Sequence, residues 1–412
     1  MSLEDLQRDY PHLTFRKCWR LNERTLLNLG QCVAIINCLA EMPISPKLQK
    51  ALRRVAFERG AQATTAIEGN TLTDEEVRKL LAGEELPKSR EYQAREVKNA
   101  LEAMRFVWQK VVVAGECEPV DPKLLCDLNR IVGQNLGTLF DGVPGRPRTD
   151  RRSVGRYLAP PHEHVEHLMS AMCGWLREEF GYASGRQSTD VAIIEAIVAH
   201  VYFEWIHPFA DGNGRTGRLL EFFILLRSGL PDIAAHVLAN HYNTSRSEYA
   251  SHFENARKKR DLSEFLSYAV QGLLDGLEAT QEEVKNEAFR VTWRSHIYEV
   301  FTDYKCLKTS VFKRRRNLAL QMPIGAKFTL EELIRTSDEL VREYMGRDRR
   351  KIKADLDEIK RLDLVSEDDG MYRANTDLLV AQHLAPRVQR GALPKSQTPT
   401  ANNPDLANTS RV

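Results

Sequence analysis

A surplus of charge of either sign, paired cysteines and long hydrophobic runs are all missing from this chain. The 59 basic residues are nearly matched by 57 acidic ones, so the composition predicts no general attraction to nucleic acid. The seven cysteines are scattered and form no C-x-x-C pair, which predicts reduced and mostly structural thiols.

The most apolar segments are interrupted by charged residues or histidine, and the N-terminal sequence MSLEDLQRDYPHL contains no basic region followed by an apolar run. We therefore expect no signal peptide, no membrane span, no membrane partner and a cytoplasmic location. A length of 412 residues with 42% hydrophobic content predicts two or three structural units rather than one small module.

Apolar residues recur at three- and four-residue spacing in much of the chain, which predicts a mainly α fold organised as a helical bundle. The pattern is found over 23–109, over 190–206 and again after residue 218. Between 137 and 161 it is replaced by glycine, proline and arginine, so this segment is predicted to be a loop or a short hairpin.

The composition changes after an acidic run at 276–288, where we place a domain boundary. Beyond it, a helical pattern that includes Leu356 precedes a short strand, a turn at Asp369 and Gly370 and a returning strand at Met371. This order resembles a winged helix. From Leu384 onward the chain has few large apolar residues, and we expect it to be disordered.

The segment from His207 to Arg218 reads HPFADGNGRTGR and has the composition of a phosphate site. Its glycines allow the backbone to approach an anion closely, and a helix that starts near Arg215 would direct free N–H groups and its positive dipole end toward the same point. The fixed spacing of a histidine, an aspartate, an asparagine and two arginines favours a phosphate site over a loop with only a structural role.

These residues match the signature of the Fic family, H-x-F-x-[DE]-G-N-G-R-x-x-R, at every specified position. The resemblance implies a Fic-type helical bundle with a small β-hairpin flap. It also implies an enzyme, a nucleotidyltransferase that moves AMP from ATP to a serine, threonine or tyrosine hydroxyl of a target protein. ATP is then the substrate and Mg²⁺ the cofactor, and the target protein could be this chain itself.

Each signature residue suits a step of nucleotidyl transfer, and the resemblance implies the same roles. His207 has the pKa range of a general base, and Asp211 could bind magnesium together with phosphate oxygens. Backbone and side-chain groups are expected to bind the nucleotide phosphates. These nucleotide-binding residues are Gly212, Asn213, Gly214, Arg215 and Arg218.

Upstream, the segment TTAIEGN places Thr64 and Glu68 one helical turn apart. It resembles the inhibitory pattern [ST]-x-x-x-E-[GN] of Fic proteins in which an inhibitory helix precedes the catalytic core. The resemblance implies that Glu68 pairs with Arg218 and so occupies the guanidinium that the γ-phosphate of ATP needs. The alternative is an ordinary glutamate at a helix end.

Two further segments resemble functional segments of Fic family proteins. The arginine-rich stretch with Arg148, Val154 and Gly155 is similar to the flap whose edge docks the target backbone. The stretch HVLANHYNTSRSEYASHF is similar to the segment that closes over the adenine. It makes Tyr242 and Tyr249 candidates for nucleotide binding, although both could equally be core tyrosines.

We therefore predict an N-terminal helical region with the inhibitory helix at 1–110, a Fic catalytic core at 111–280, a winged-helix-like domain at 281–380 and a disordered tail at 381–412. One alternative function is a DNA-binding regulator whose winged helix uses the basic runs KRRR and RDRRK. Another alternative function is de-AMPylation, in which the main reaction is the removal of AMP from a modified protein. The oligomeric state stays open.

Overall fold

The computed structural model describes residue 6 and residues 8–155, 157–181, 187–234, 236–304 and 309–379. It divides the chain into two compact units, Met1–Ala288 and Phe289–Val412. The tail predicted to be disordered, 381–412, lies outside the described residues.

The first unit is helical apart from one small hairpin, so the predicted mainly α fold is confirmed. Its helices are α1 (Glu23–Glu41), α2 (Pro46–Ile67), α3 (Asp74–Leu81), α4 (Glu91–Trp108), α5 (Pro122–Gly133), α6 (Val165–Glu179), α7 (Thr189–Ile206), α8 (Asn213–Arg227), α9 (Val237–Thr244), α10 (Arg246–Lys259) and the long α11 (Ser263–Asp303), which continues into the second unit.

Helices α7 and α8 form the centre of this bundle and pack against each other. Nearly every residue of both is buried, because both helices are enclosed by neighbours on all sides rather than on one face. The segment that joins them, 207–212, is therefore held at both ends by rigid core helices.

The segment 137–161 contains the hairpin that its composition predicts. Strands β1 (Ser153–Val154) and β2 (Tyr157–Leu158) pair antiparallel, with Val154 opposite Tyr157. The Tyr157 hydroxyl donates to the backbone carbonyl of Trp205 at 2.7 Å, which fixes the hairpin next to the C-terminal end of α7.

The second unit has its own hydrophobic core and a second hairpin. Its helices and strands after α11 are α12 (Thr309–Gln321), α13 (Leu330–Ile334), α14 (Asp338–Tyr344), α15 (Arg349–Arg361), β3 (Val365–Asp368) and β4 (Met371–Ala374). Asp369 and Gly370 both have positive φ, 50° and 75°, as a tight hairpin turn requires. The resemblance to a winged helix stays a prediction.

Among the described residues, no helix is both long enough and apolar enough to cross a membrane.

Candidate active site

The loop between α7 and α8 is a compact turn with a left-handed residue at each end. His207 ends α7 with φ 50°, and Gly212 precedes α8 with φ 76°. A Cβ atom on Gly212 would lie 3.1 Å from the side-chain nitrogen of Asn129, which itself donates to the Asp211 carbonyl at 2.9 Å. A left-handed non-glycine residue such as His207 is uncommon and is often found at functional sites.

Asn213 closes this loop, and the expectation that its amide donates to a phosphate stays a prediction. Its Oδ1 accepts from the Phe209 N–H at 2.9 Å, and its Nδ2 donates to the Phe209 carbonyl at 2.8 Å. The amide oxygen and one of the two amide N–H groups are thus used within the loop, and the side chain is buried. The buried Phe209 ring anchors the same turn in the core.

We expect the substitution Asn213→Ala to destabilise the first unit, because it removes both hydrogen bonds and leaves the buried N–H and carbonyl of Phe209 without these partners. The expected loss is about 2–3 kcal/mol in the free energy of unfolding, measured by urea denaturation. Asn286→Ala on the exposed face of α11 is the matched control, and equal stability of the two variants would contradict this role.

His207 lies at the C-terminal end of α7 with only 16% of its side chain exposed. Burial and, to a smaller extent, the positive charge of Arg148 lower the pKa of His207 to about 4. The imidazole is therefore neutral at pH 7. Its Nδ1 atom lies 3.8 Å from the carboxyl oxygen Oε2 of Glu204.

Arg148 is a structural residue of the loop and is not exposed on the hairpin. Its guanidinium donates to the backbone carbonyls of His207 at 2.7 Å, Asp150 at 2.6 Å and Pro160 at 2.5 Å. Because the side chain is buried under these contacts, it has no surface with which to dock a target. The predicted docking role of Arg148 is corrected to positioning of the loop and the hairpin.

Arg218 in α8 binds the end of α2. Its Nε donates to the hydroxyl of Thr64 at 2.8 Å, and its Nη2 donates to the Thr64 carbonyl at 3.0 Å and to Oε1 of Glu68 at 2.6 Å. Glu68 is thus held through one guanidinium nitrogen, while the rest of the contact involves Thr64. Burial raises the pKa of Glu68, but the charge and the hydrogen bond of Arg218, together with smaller effects of Arg215 and His207, outweigh it and the net shift is downward, so the pair is ionic.

The carboxylate of Glu68 lies directly over the start of α8. A Cβ atom on Gly214 would be 2.0 Å from Glu68 Oε1, so only glycine leaves room for the carboxylate at this place. The first N–H groups of a helix and its positive dipole end attract anions. Glu68 therefore occupies an anion position that Gly214 and Arg218 form together.

Arg215 points to a different part of the site. It donates to Glu96 Oε1 at 2.6 Å and to Asp211 Oδ1 at 3.0 Å, and it is buried. The two arginines of the signature are therefore not equivalent. Arg215 lines an adjoining cavity of about 260 Å³ together with Glu68, Glu96 and Asp211.

The main cavity beside His207 has a volume of about 660 Å³, within the range of small-molecule sites. Its wall combines the end of α2, the hairpin, the start of α8 and one face of α10. Its lining includes Glu68, Val154, Gly155, Glu204, His207, Gly214, Arg218, Arg246, Tyr249 and Phe253.

Only one of the two candidate tyrosines lines this cavity. Tyr249 forms part of the wall, and its hydroxyl lies 2.7 Å from His200 Nε2. Tyr242 is 0% exposed and its hydroxyl donates to Glu221 Oε1 at 2.8 Å. Tyr242 is therefore a core residue in this structure, which is the alternative that the sequence left open for it.

Two carboxyl groups, Glu204 in the cavity wall and the buried Glu221, are protonated at neutral pH. Burial raises the pKa of both Glu204 and Glu221 to about 8, although the charge of Arg218 acts in the opposite direction on each. A neutral carboxyl group at these positions leaves Arg218 to interact with Glu68.

The Glu221→Gln variant tests this protonation. The folded-state pKa of Glu221 lies above its unfolded value, so its contribution to stability is complete below about pH 4.5 and is lost as pH rises toward 8. We expect the variant, which cannot titrate, to lose less unfolding free energy than the wild type between pH 6.5 and 8. At about 1.4 kcal/mol per pKa unit, the difference is about 2 kcal/mol. Parallel stability curves would exclude a neutral Glu221.

The sequence reasoning missed Glu96 and Glu204. Glu204 had a local signal, because it is an acid one helical turn before His207 in a mostly apolar helix. Glu96 had none, since it lies 119 positions from Arg215 in a helix with many charged residues.

Comparison with known proteins places this site in a family. Residues 119–225 match the model of the Fic/DOC family. The protein adenylyltransferase fic-1 of Caenorhabditis briggsae is 30% identical over 236 residues, which cover 57% of this chain and 43% of that protein. This chain thus spans less than half of the length of that relative.

Solved structures share the fold. A Fic family protein from Desulfovibrio desulfuricans has a TM-score of 0.55 at 21% identity and covers 87% of this chain and 98% of its own. A glutamate-to-glycine variant of a Fic-1 fragment from Caenorhabditis elegans has a TM-score of 0.51 at 26% identity. The match covers 62% of this chain and 71% of that fragment. The segment 119–225 contains the loop, the hairpin and most of α8, and this part of the chain therefore carries the match to the Fic/DOC family.

Proposed function

We propose that this chain is a protein adenylyltransferase that moves AMP from ATP to a serine, threonine or tyrosine hydroxyl of a protein, itself included. One observation carries the proposal: His207, the anion position at the start of α8 and the hairpin line a single cavity. Relatives that bear the name protein adenylyltransferase support the same activity.

His207 acts as the general base. The hydroxyl oxygen of the target attacks the α-phosphorus of ATP, the bond from that phosphorus to the bridging oxygen breaks, pyrophosphate leaves, and the hydroxyl proton moves to His207. A neutral imidazole is needed for this step, and the lowered pKa of His207 provides it at pH 7. Bound nucleotide phosphates would raise this pKa toward neutrality.

The phosphates of ATP bind at the start of α8. Gly214 leaves space for them, Gly212 provides the left-handed turn that precedes the helix, the first helical N–H groups donate to them, and Arg218 neutralises the terminal phosphate. Arg215 takes part from the adjoining cavity, where it also orients Asp211. Tyr249 contributes to the wall on the side of the nucleoside.

Asp211 fits a magnesium ion that arrives with the nucleotide. One of its oxygens is used by Arg215, and the other accepts only a long contact of 3.3 Å from the Asp141 N–H among the described residues. No group of three or more histidine, cysteine or acidic residues suited to a metal occurs in the described part of the chain. A single carboxylate plus phosphate oxygens is what magnesium commonly uses, and the ion would neutralise charge on the departing pyrophosphate.

Glu68 holds the enzyme in an inhibited state. Its carboxylate occupies the position over Gly214 and the Arg218 nitrogen that the terminal phosphate requires. Thr64 assists, because it fixes the orientation of the same guanidinium. ATP that enters while Glu68 remains would bind in a pose that is unproductive for transfer.

The hairpin aligns the target. Val154 and Gly155 line the cavity that contains His207, and Val154 is exposed on a two-residue strand. An extended segment of the target could pair its backbone with this edge and place its hydroxyl beside the imidazole.

Intact-mass spectrometry of the Glu68→Gly protein with ATP and Mg²⁺ tests the activity. We expect the mass of one AMP to be added to the chain with release of pyrophosphate. An ATP analogue with a methylene group between the α- and β-phosphates should give no addition, because the bond that must break is blocked. Addition of a phosphate alone, or ATP left intact, would overturn the proposed reaction.

The DNA-binding alternative is weakened by the second unit. Two arginines of the KRRR run, Arg314 and Arg315, donate to the buried carboxylate of Asp355 at 2.6 and 2.9 Å. We therefore expect duplex DNA to bind the full chain weakly, with little salt dependence, in gel-shift titrations between about 50 and 200 mM salt. A loss of affinity of about a thousandfold over this range would restore the alternative.

A further inference from the structure

A second cavity, of about 590 Å³, lies between α2, α3 and α4 on the first unit. We call it the α2–α4 groove. It shares no lining residue with the cavity of His207. Its floor is apolar and includes Phe57, Leu101 and Trp108.

The rim of the groove is strongly basic in a chain that is otherwise balanced in charge. One carboxylate, Glu58, is present in the lining, against five cationic side chains. These are Lys50, Arg53, Arg54, Arg78 and Arg105.

Three of these cations have no acidic partner. Arg53 pairs with Asp232 and Arg54 with Glu58. Within the described part of the chain, Lys50, Arg78 and Arg105 form no ion pair, and all three are exposed. Like charges gathered without partners repel each other, and a bound anion would relieve this repulsion.

The groove is also partly preorganised. The guanidinium of Arg53 lies 4.1 Å above the ring of Trp108, and both side chains donate to the same oxygen of Asp232, at 3.2 and 2.9 Å. This contact fixes one arginine and one aromatic ring at the bottom of the cavity before any ligand arrives.

We propose that the α2–α4 groove binds a small phosphorylated molecule with an apolar or aromatic part, of the nucleoside diphosphate class. The guanidinium groups of Arg78 and Arg105 would bind the phosphates in the forked geometry that arginine offers. The apolar floor would contact the apolar or aromatic part of the ligand, and the volume of the groove suits a ligand of this size. This inference does not depend on the proposed transferase activity.

The experiment uses the full chain with ¹⁵N-labelled tryptophan and follows the indole N–H signals during titration with ADP and, separately, with pyrophosphate. Trp108 lies in the groove and Trp205 lines the cavity of His207, so the two sites report separately. A Trp108→Phe variant assigns the groove signal. We expect a saturable shift of Trp108 with a Kd below about 1 mM for ADP, and binding about tenfold weaker for pyrophosphate.

The double variant Arg78→Glu and Arg105→Glu should abolish the Trp108 response and leave any Trp205 response unchanged. Both positions are exposed, so folding should be preserved, and Arg95→Glu on the exposed face of α4 is the matched control. No saturable shift up to 10 mM, or one that survives in the double variant, would overturn the site. An acidic peptide that displaces ADP with higher affinity would also overturn it, because the groove would then recognise a protein.

Discussion

Replacement of Glu68 by glycine should raise the rate of AMP transfer at least tenfold, which corresponds to about 1.4 kcal/mol or more in the activation free energy. In the wild type, the carboxylate lies over Gly214 and takes one nitrogen of Arg218. The substitution removes both the charge and the volume from this position. The γ-phosphate can then reach the guanidinium, which Thr64 still orients.

The same change should lower the stability of the ligand-free protein, because buried Arg218 loses its carboxylate partner. ATP with Mg²⁺ should restore the stability by more than it does in the wild type, since the phosphate replaces the lost charge. Thermal unfolding with and without nucleotide measures this second effect. A larger stabilisation by nucleotide in the variant would link the increase in rate to Arg218 rather than to a general destabilisation of the fold.

Two controls separate the causes. Glu68→Gln keeps the volume but removes the charge, so a rate between those of wild type and Glu68→Gly is expected. Glu41→Gly makes the same substitution at the exposed end of α1 and should leave the rate unchanged. If labelled ATP shows equal transfer by wild type and Glu68→Gly, Glu68 is not an inhibitor.

The second large effect is expected for His207→Ala, assayed in the Glu68→Gly background so that the starting rate is high. Loss of the general base should reduce transfer about a thousandfold, the middle of the range for such catalysis. Arg218 and the start of α8 are untouched, so the Kd for ATP should change little in calorimetry. The loss should therefore appear in kcat and not in KM.

His167→Ala, which alters an exposed histidine of α6, is the control for removal of an imidazole. A His207→Ala enzyme that retains more than about a tenth of the rate would show that another group accepts the proton. A carboxyl oxygen of Glu204 lies 3.8 Å from the ring, but this group is protonated at pH 7. A residual rate that rises with pH and is lost in the Glu204→Gln variant would identify its ionised form as the acceptor.

The sequence predicted the parts of the site that lie in one continuous segment. The order of helix, loop and helix around His207 follows from apolar periodicity interrupted by glycine, and the predicted hairpin follows from the loss of that periodicity after Gly137. The contact of Glu68 with Arg218 joins residues 150 positions apart. Only the resemblance to a known family suggested it, because periodicity carries no information on such pairs.

Several side chains make contacts that the sequence did not predict, and the reason is the same for each. Asn213 is polar and stands in a glycine-rich loop, yet its amide is used to close that loop. Tyr242 and Tyr249 are seven positions apart, and only the packing of α9 and α10 decides which ring reaches the cavity. Arg148 looked like a surface residue because its neighbours are basic, whereas three backbone carbonyls surround its guanidinium. In each case a tertiary contact, not the local pattern, sets the direction of the side chain.

The close contact between Gly214 and Glu68 restricts which residues can stand at position 214. A methyl group there would expel the Glu68 carboxylate, but it would equally fill the space proposed for the nucleotide. Under the proposed mechanism, a side chain at Gly214 would therefore relieve the inhibition only by blocking the nucleotide. A variant that loses the inhibition and keeps the activity is expected, under the same mechanism, to carry its change on the α2 side, at Glu68, and to retain the glycine.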